Sequence, residues 1–102
     1  MATVHYGGKV SRNEKRAVKF TVDTATLGSA TVSSSTGTCG PSKNPTQNPA
    51  ISTATSTTSP STTLTILAAE WPKSSKWAYV GTEITMSDGR ILTSKVEYEI
   101  IW

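Results

Sequence analysis

The sequence predicts an all-β fold, two sheets packed face to face, on three observations. Residues 77–102 read as one long β-hairpin, residues 15–23 and 62–69 alternate apolar with polar side chains, and no segment keeps a helical period over three turns. Ser and Thr supply 32 of the 102 residues and apolar residues only 35%, a bias that suits Thr-rich strands joined by Ser-rich turns. A chain of this length is expected to form one domain, residues 1–102, that buries roughly 65% of its unfolded surface.

Taken in order, Val4-His5-Tyr6 is a candidate edge strand. In Lys15–Asp23, Val18, Phe20 and Val22 share one side while Ala17, Lys19 and Thr21 share the other, which predicts a half-buried strand. Asp23-Thr24-Ala25-Thr26 breaks it, and Leu27–Ser35 reads as the next strand, with Ala30 and Val32 inward. From Thr36 to Ser61 the chain is low in charge, rich in Ser, Thr, Gly and Asn, and holds Pro41, Pro45, Pro49 and Pro60. This predicts one long polar loop in which only Pro49–Thr55 looks able to pair as a strand. Loops of such length are often functional, and contact with a partner is the function expected, self-packing being the alternative. Thr62–Ala69 returns to alternation, with Leu64, Ile66 and Ala68 on one face and Leu67 on the other; Glu70–Lys76 then leads into the hairpin.

The hairpin register follows from its apolar residues. A two-residue Asp88-Gly89 turn pairs Val80 with Glu97 and puts Val96, Tyr98 and Ile100 on the face opposite Val80 and Ile84. A three-residue Ser87-Asp88-Gly89 loop pairs Ile84 with Leu92, Val80 with Val96 and Ala78 with Tyr98, and one apolar face results. The three-residue loop needs a left-handed residue at its third position, which Gly89 provides, so a type I turn closed by a glycine bulge is predicted. Ile100 and Trp102 are expected to extend the apolar face beyond the partner strand. Six or seven strands with turns at these intervals make an immunoglobulin-like β-sandwich the natural architecture.

The chemistry that enzymes need is missing from the pattern. The single histidine, His5, has no motif around it, and the seven carboxylates include Glu83, Glu97 and Glu99 at alternating polar-face positions and Asp88 in a turn. Glu97 and Glu99 have the composition of a paired-carboxylate site, but solvent-facing alternation explains them better. Gly7-Gly8 lacks the spacing and the following helix of a phosphate loop. Cys39, in Thr38-Cys39-Gly40-Pro41, has no partner for a disulfide and no neighbouring base. No catalytic residue, cofactor or metal is therefore expected, and the protein is read as not an enzyme.

The net charge of +3 is concentrated in Lys9, Arg12, Lys15, Arg16 and Lys19, interrupted by Glu14 and Asp23. Nucleic-acid binders carry denser basic patches interleaved with aromatics; here only Phe20 is near, and its alternation with Val18 and Val22 makes it core. A solvated or partner-facing basic edge is the expectation. No run of about 18 apolar residues suggests a membrane span, and residues 1–6 lack the apolar core of a secretory signal. With one cysteine, this points to assembly in a reducing cytoplasm.

The candidate site residues are aromatic. Trp77 shares the polar strand face with Tyr79, Trp71 precedes Pro72 in a connector, and Trp102 is the last residue. Exposed Trp and Tyr concentrate interface energy because they bury large rigid areas at little entropic cost. Trp71 and Trp102 could instead plug the ends of a sandwich, but so small a core is not expected to hold all of Trp71, Trp77, Tyr79 and Trp102.

With these elements placed, the chain resembles a family of small tailed-phage virion proteins. The resemblance rests on Ala17–Asp23, Gly28-Ser29-Ala30-Thr31-Val32, Thr63-Leu64-Thr65-Ile66-Leu67, Tyr79-Val80-Gly81-Thr82, Ile84–Ile91 with its Ser87-Asp88-Gly89-Arg90, and Val96–Ile100, about half the chain. Lys76-Trp77 stands where glycine is expected before the tyrosine, and the Thr36–Ser61 segment is an insertion. The resemblance implies an immunoglobulin-like sandwich without catalytic residues, located in the virion and assembled in the host cytoplasm. Its implied partners are tail, fibre or capsid subunits, and its implied role is a fibre–tail adaptor or, alternatively, a capsid decoration (cement) protein, for which homo-oligomers are expected. From another class, a carbohydrate-binding module would use Trp71, Trp77 and Tyr79 as a stacking platform.

Overall fold

Each alternating stretch forms a strand of one of two facing sheets. The computed structural model describes residues 4–52 and 55–101. Its strands are β1 (Val4–Ser11), β2 (Arg16–Thr21), β3 (Val32–Gly40), β4 (Ser56–Thr58), β5 (Ser61–Ile66), β6 (Trp77–Met86) and β7 (Ile91–Ile101). One sheet has the order β1-β7-β6-β3 and the other β2-β5-β4. The molecule is an all-β sandwich, as the composition and alternation predict.

The β6–β7 hairpin has the three-residue register. Ile84 pairs with Leu92, Val80 with Val96 and Ala78 with Tyr98, and the loop closes with Met86 N–H donating to Arg90 O at 2.9 Å. Gly89 has φ of 91°, where any other L-residue would be strained. Ile100 extends the apolar face beyond the last pair, Trp77–Glu99, as expected: it is buried, and its N–H donates at 2.8 Å to the O of Lys76, the residue before β6. Trp102 lies outside the described residues.

Four expectations change. The first strand reaches Ser11 rather than Tyr6 and lies parallel to β7, with a shift in register between Tyr6 and Gly8. Leu27, read as the start of a strand that instead begins at Val32, closes a helical turn over residues 24–27. Asp23 caps it by accepting from Ala25 N–H at 3.0 Å, and Gly28 with φ of 62° ends it. The strand after it runs five residues further than predicted, to Gly40. Gly37 and Gly40 look like loop residues by composition, but close approach explains them. A Cβ at Gly37 would collide with Leu64, and one at Gly40 with Asn48. Finally, Ala68 turns outward into a 3₁₀ turn, Ala68–Glu70, and is exposed.

The long polar loop therefore shrinks to residues 41–55, and the chain holds it from within. Asn48 is buried; its Oδ1 accepts from Ser42 N–H at 3.0 Å and its Nδ2 donates to Ser42 O at 2.9 Å. Cys39 N–H donates to Pro49 O and Ile51 N–H to Gly37 O. The stretch expected to pair, Pro49–Thr55, makes one bridge, Ala50 to Thr38; residues 53 and 54 within it lie outside the described residues. These bonds cap the free edge of β3, which would otherwise present unpaired backbone.

The core lies between the sheets. Val18, Phe20 and Leu64 come from one sheet, Val80, Ile84, Met86 and Ile100 from the other, and all are buried. Buried hydroxyls are paired: Thr82 Oγ1 donates to Thr36 O at 2.9 Å within the four-stranded sheet, and Ser35 and Thr62 share a hydroxyl–hydroxyl bond across the gap.

Candidate interaction surface

The registers of β1, β7, β6 and β3 fix which side chains stand on the outer face of the four-stranded sheet. Successive rows read Lys9–Glu99–Trp77, Tyr6–Glu97–Tyr79–Gly40, Lys95–Gly81–Thr38 and Thr93–Glu83–Thr36. The expectation that Glu83, Glu97, Glu99, Trp77 and Tyr79 share one polar face holds.

The candidate aromatics separate. Trp71 is 2% exposed and plugs one end of the sandwich. Its indole donates to Glu14 O at 2.8 Å, and its ring meets Tyr98 edge-on at 5.7 Å. It is a core residue, because burial with a satisfied N–H is what an amphipathic indole gains there. Tyr79 points outward yet is 5% exposed, since the 41–49 segment folds onto this face: its 3₁₀ turn Pro45–Gln47 packs against β3 and β6, and Lys95 Nζ donates to Lys43 O at 3.0 Å. Burial, helped by a hydrogen bond to the Glu97 carboxylate, raises the Tyr79 phenol above its ordinary pKa. The three-ring platform of Trp71, Trp77 and Tyr79 is therefore not assembled.

Trp77 is half-buried and reaches across β7 to Tyr6, edge-on with ring centroids 6.4 Å apart. Tyr6 is 58% exposed. This pair stands beside the open edge of β1, with Ile101 exposed one row further along β7. Neither Tyr6 nor Ile101 is marked by the sequence pattern, because only the parallel placement of β1 on β7 brings them beside Trp77.

The remaining charges are largely structural. Glu14 accepts from Ser11 N–H at 2.7 Å and pairs with Arg16 at 2.9 Å; the Ser11 bond chiefly, then Arg16, holds its carboxyl below the usual range against an opposing desolvation. Arg16 lies 5.7 Å from the Tyr98 ring centre. Lys15 and Lys19 are exposed, so the basic segment splits between structural use and solvent. Arg90, overlooked by pattern, ties the hairpin tip to the helical turn: it donates to Thr26 O at 2.8 Å and to Leu27 O at 3.2 Å while pairing with Asp88 at 2.7 Å.

Cys39 is 3% exposed. It sits in β3, not in a turn, and burial pushes its thiol up to about 12, the opposite of a nucleophile's shift. The side chain of His5 lies outside the described structure. Among the described residues no group of three or more His, Cys, Asp or Glu is placed to hold a metal, and no helix is long and apolar enough to cross a membrane.

No family model matches the chain, and neither a curated protein nor a solved structure matches it.

Proposed function

We propose that this chain is a non-enzymatic structural protein of a virion that docks onto other virion subunits, as an adaptor between tail and fibre. The observation that carries the docking is the Tyr6–Trp77 pair. A ring 58% exposed, braced edge-on by a half-buried indole, is a preorganised anchor that loses little entropy when a partner covers it. Its place beside the open β1 edge lets main-chain pairing and aromatic burial act together.

The virion assignment rests on the resemblance, and strand order supports its immunoglobulin-like part. The orders β2-β5-β4 and β7-β6-β3 correspond to the pairings of constant-type immunoglobulin sandwiches, with β1 added in parallel on β7.

Antibody labelling of purified particles tests the location. Label at the junction of tail and fibre is expected; label over the head would replace the adaptor with a capsid cement protein, and absence from particles would end the virion reading. Tyr6→Ala with Trp77→Ala should abolish incorporation while leaving the isolated protein folded.

A further inference from the structure

Between the 41–49 segment and the outer sheet face lies a crevice of about 430 Å³, inside the size range of small-molecule sites. It opens over Gly81, where β6 carries no side chain and glycine permits close approach to the backbone. Thr36 and Thr38 of β3 line it on one side of β6 and Thr93 of β7 on the other, with Asn44 and Glu83 also in the lining.

The chain leaves several polar groups of this crevice unused. The Glu83 carboxylate and the hydroxyls of Thr36 and Thr93 make no hydrogen bond or ion pair among the described residues. Asn44 accepts from Thr46 through Oδ1 and leaves its Nδ2 free to donate. Thr38 Oγ1 is buried with no hydrogen-bond partner among the described residues, an uncommon state for a buried hydroxyl.

We infer that the crevice binds a neutral saccharide, with ring hydroxyls donating to Glu83. The alternatives fail on charge. An anion would meet the Glu83 carboxylate with no cation in the lining among the described residues, and Lys95, the lysine nearest in the register, is engaged by Lys43 O. A divalent cation wants several anionic or carbonyl oxygens, and Glu83 is the one carboxylate lining the crevice. An apolar ligand would desolvate that carboxylate without pairing it. A sugar ring supplies vicinal hydroxyls for charge-assisted bonds to Glu83, an acceptor for Asn44 Nδ2, and a C–H face to lie on the Gly81 backbone and the threonine methyls. Among the described residues the crevice lining includes no aromatic ring, so binding should be weak and set by hydrogen bonds. The site shares no residue with the Tyr6–Trp77 anchor, so either reading can fail alone.

The test is a titration of the ¹⁵N-labelled full chain with methyl α-glucoside, methyl α-mannoside, methyl β-galactoside and N-acetylglucosamine, followed by amide chemical shifts. At least one sugar should produce saturable shifts confined to Thr36, Thr38, Gly81, Glu83 and Thr93. Glu83→Gln, an exposed strand position that leaves the fold intact, should weaken binding at least tenfold; Thr93→Val should weaken it several-fold, and Lys73→Ala not at all. No saturable shift with any of the four sugars would overturn the inference, as would shifts centred on Tyr6 and Trp77, or affinity unchanged in Glu83→Gln. Calcium chloride alone producing the same shifts would also overturn it, by assigning the crevice to a cation.

Discussion

Replacing Trp71 by Phe separates a tryptophan that holds the fold from one that stands on its surface. Trp71 is 2% exposed, donates from its indole to Glu14 O at 2.8 Å and packs edge-on against Tyr98 at 5.7 Å. Phenylalanine keeps a ring against Tyr98 but has no donor. The partly buried Glu14 carbonyl then loses its partner, at about 1–2 kcal/mol. The void left by the smaller ring adds about 1 kcal/mol. A total of about 2–3 kcal/mol corresponds to a fall in Tm of about 10–20 °C for a domain of this size. Trp77→Phe is the control. It keeps the contact with Tyr6, and the Trp77 side-chain N–H has no hydrogen-bond partner among the described residues, so it should cost no more than about 0.5 kcal/mol. Thermal melts and urea titrations of both variants, with m unchanged, measure the difference. If Trp77→Phe costs as much as Trp71→Phe, the division into plug and surface anchor is wrong.

The other predictions concern charge and backbone. Cys39 should resist thiol reagents in the folded protein and react at the rate of global unfolding; modification within the mixing time at neutral pH would contradict its burial at 3% exposure. Because its folded pKa is raised from 9.0 to about 12, the unfolded chain ionises first as pH rises, so stability should decline above about pH 9, and less so in Cys39→Ala. The folded-state pKa of Glu14 is lowered, chiefly by the Ser11 N–H, so its contribution is present above the ordinary carboxylate pKa of 4.5 and is lost as pH falls through the folded value. Chemical denaturation should show wild type and Glu14→Gln differing at pH 7 and converging in strong acid. Gly89→Ala, at φ of 91°, should cost about 1 kcal/mol while the Val80–Val96 pairing persists in amide-proton contacts; a slip of that register would refute the three-residue loop.

What was legible in the sequence was whatever alternation and turn chemistry encode locally. The Val18–Phe20–Val22 stripe, the Leu64–Ile66 pair and the Ser87-Asp88-Gly89 loop each appear as read. The errors have one physical cause, that pairing partners distant in sequence override local composition. Thr36-Gly37-Thr38-Cys39-Gly40 reads as loop until β6 is laid beside it, when its glycines become the places where Leu64 and Asn48 come close. Leu27 reads as a strand start because Asp23 as an N-cap and Gly28 as a helix stop bracket only four residues, too few for periodicity to register. Tyr79 alternates as an exposed residue and is buried by a loop whose path no local rule supplies. Of the site, the outward set of Trp77, Glu83 and Glu97 was legible from the hairpin register; Tyr6 and the crevice were not, since they depend on β1 and on the 41–49 segment.

The two edges of the four-stranded sheet are treated differently, and the difference bears on function. At β3 the chain's own residues 49–51 satisfy the outer backbone groups. At β1 the structure relies on the register shift beside Gly7 and on Lys9, devices that discourage indiscriminate pairing without closing the edge. An edge guarded in this way still accepts a strand that matches its bulge and its charge, and Tyr6 stands on it with Trp77 behind. The segment expected to wait for a partner is instead spent on the molecule itself, capping β3, burying Tyr79 and roofing the crevice over Gly81. Under the proposed docking role the β1 edge is the surface offered to another subunit, so charge reversed there, as in Lys9→Glu, should disturb docking more than any change within residues 41–52.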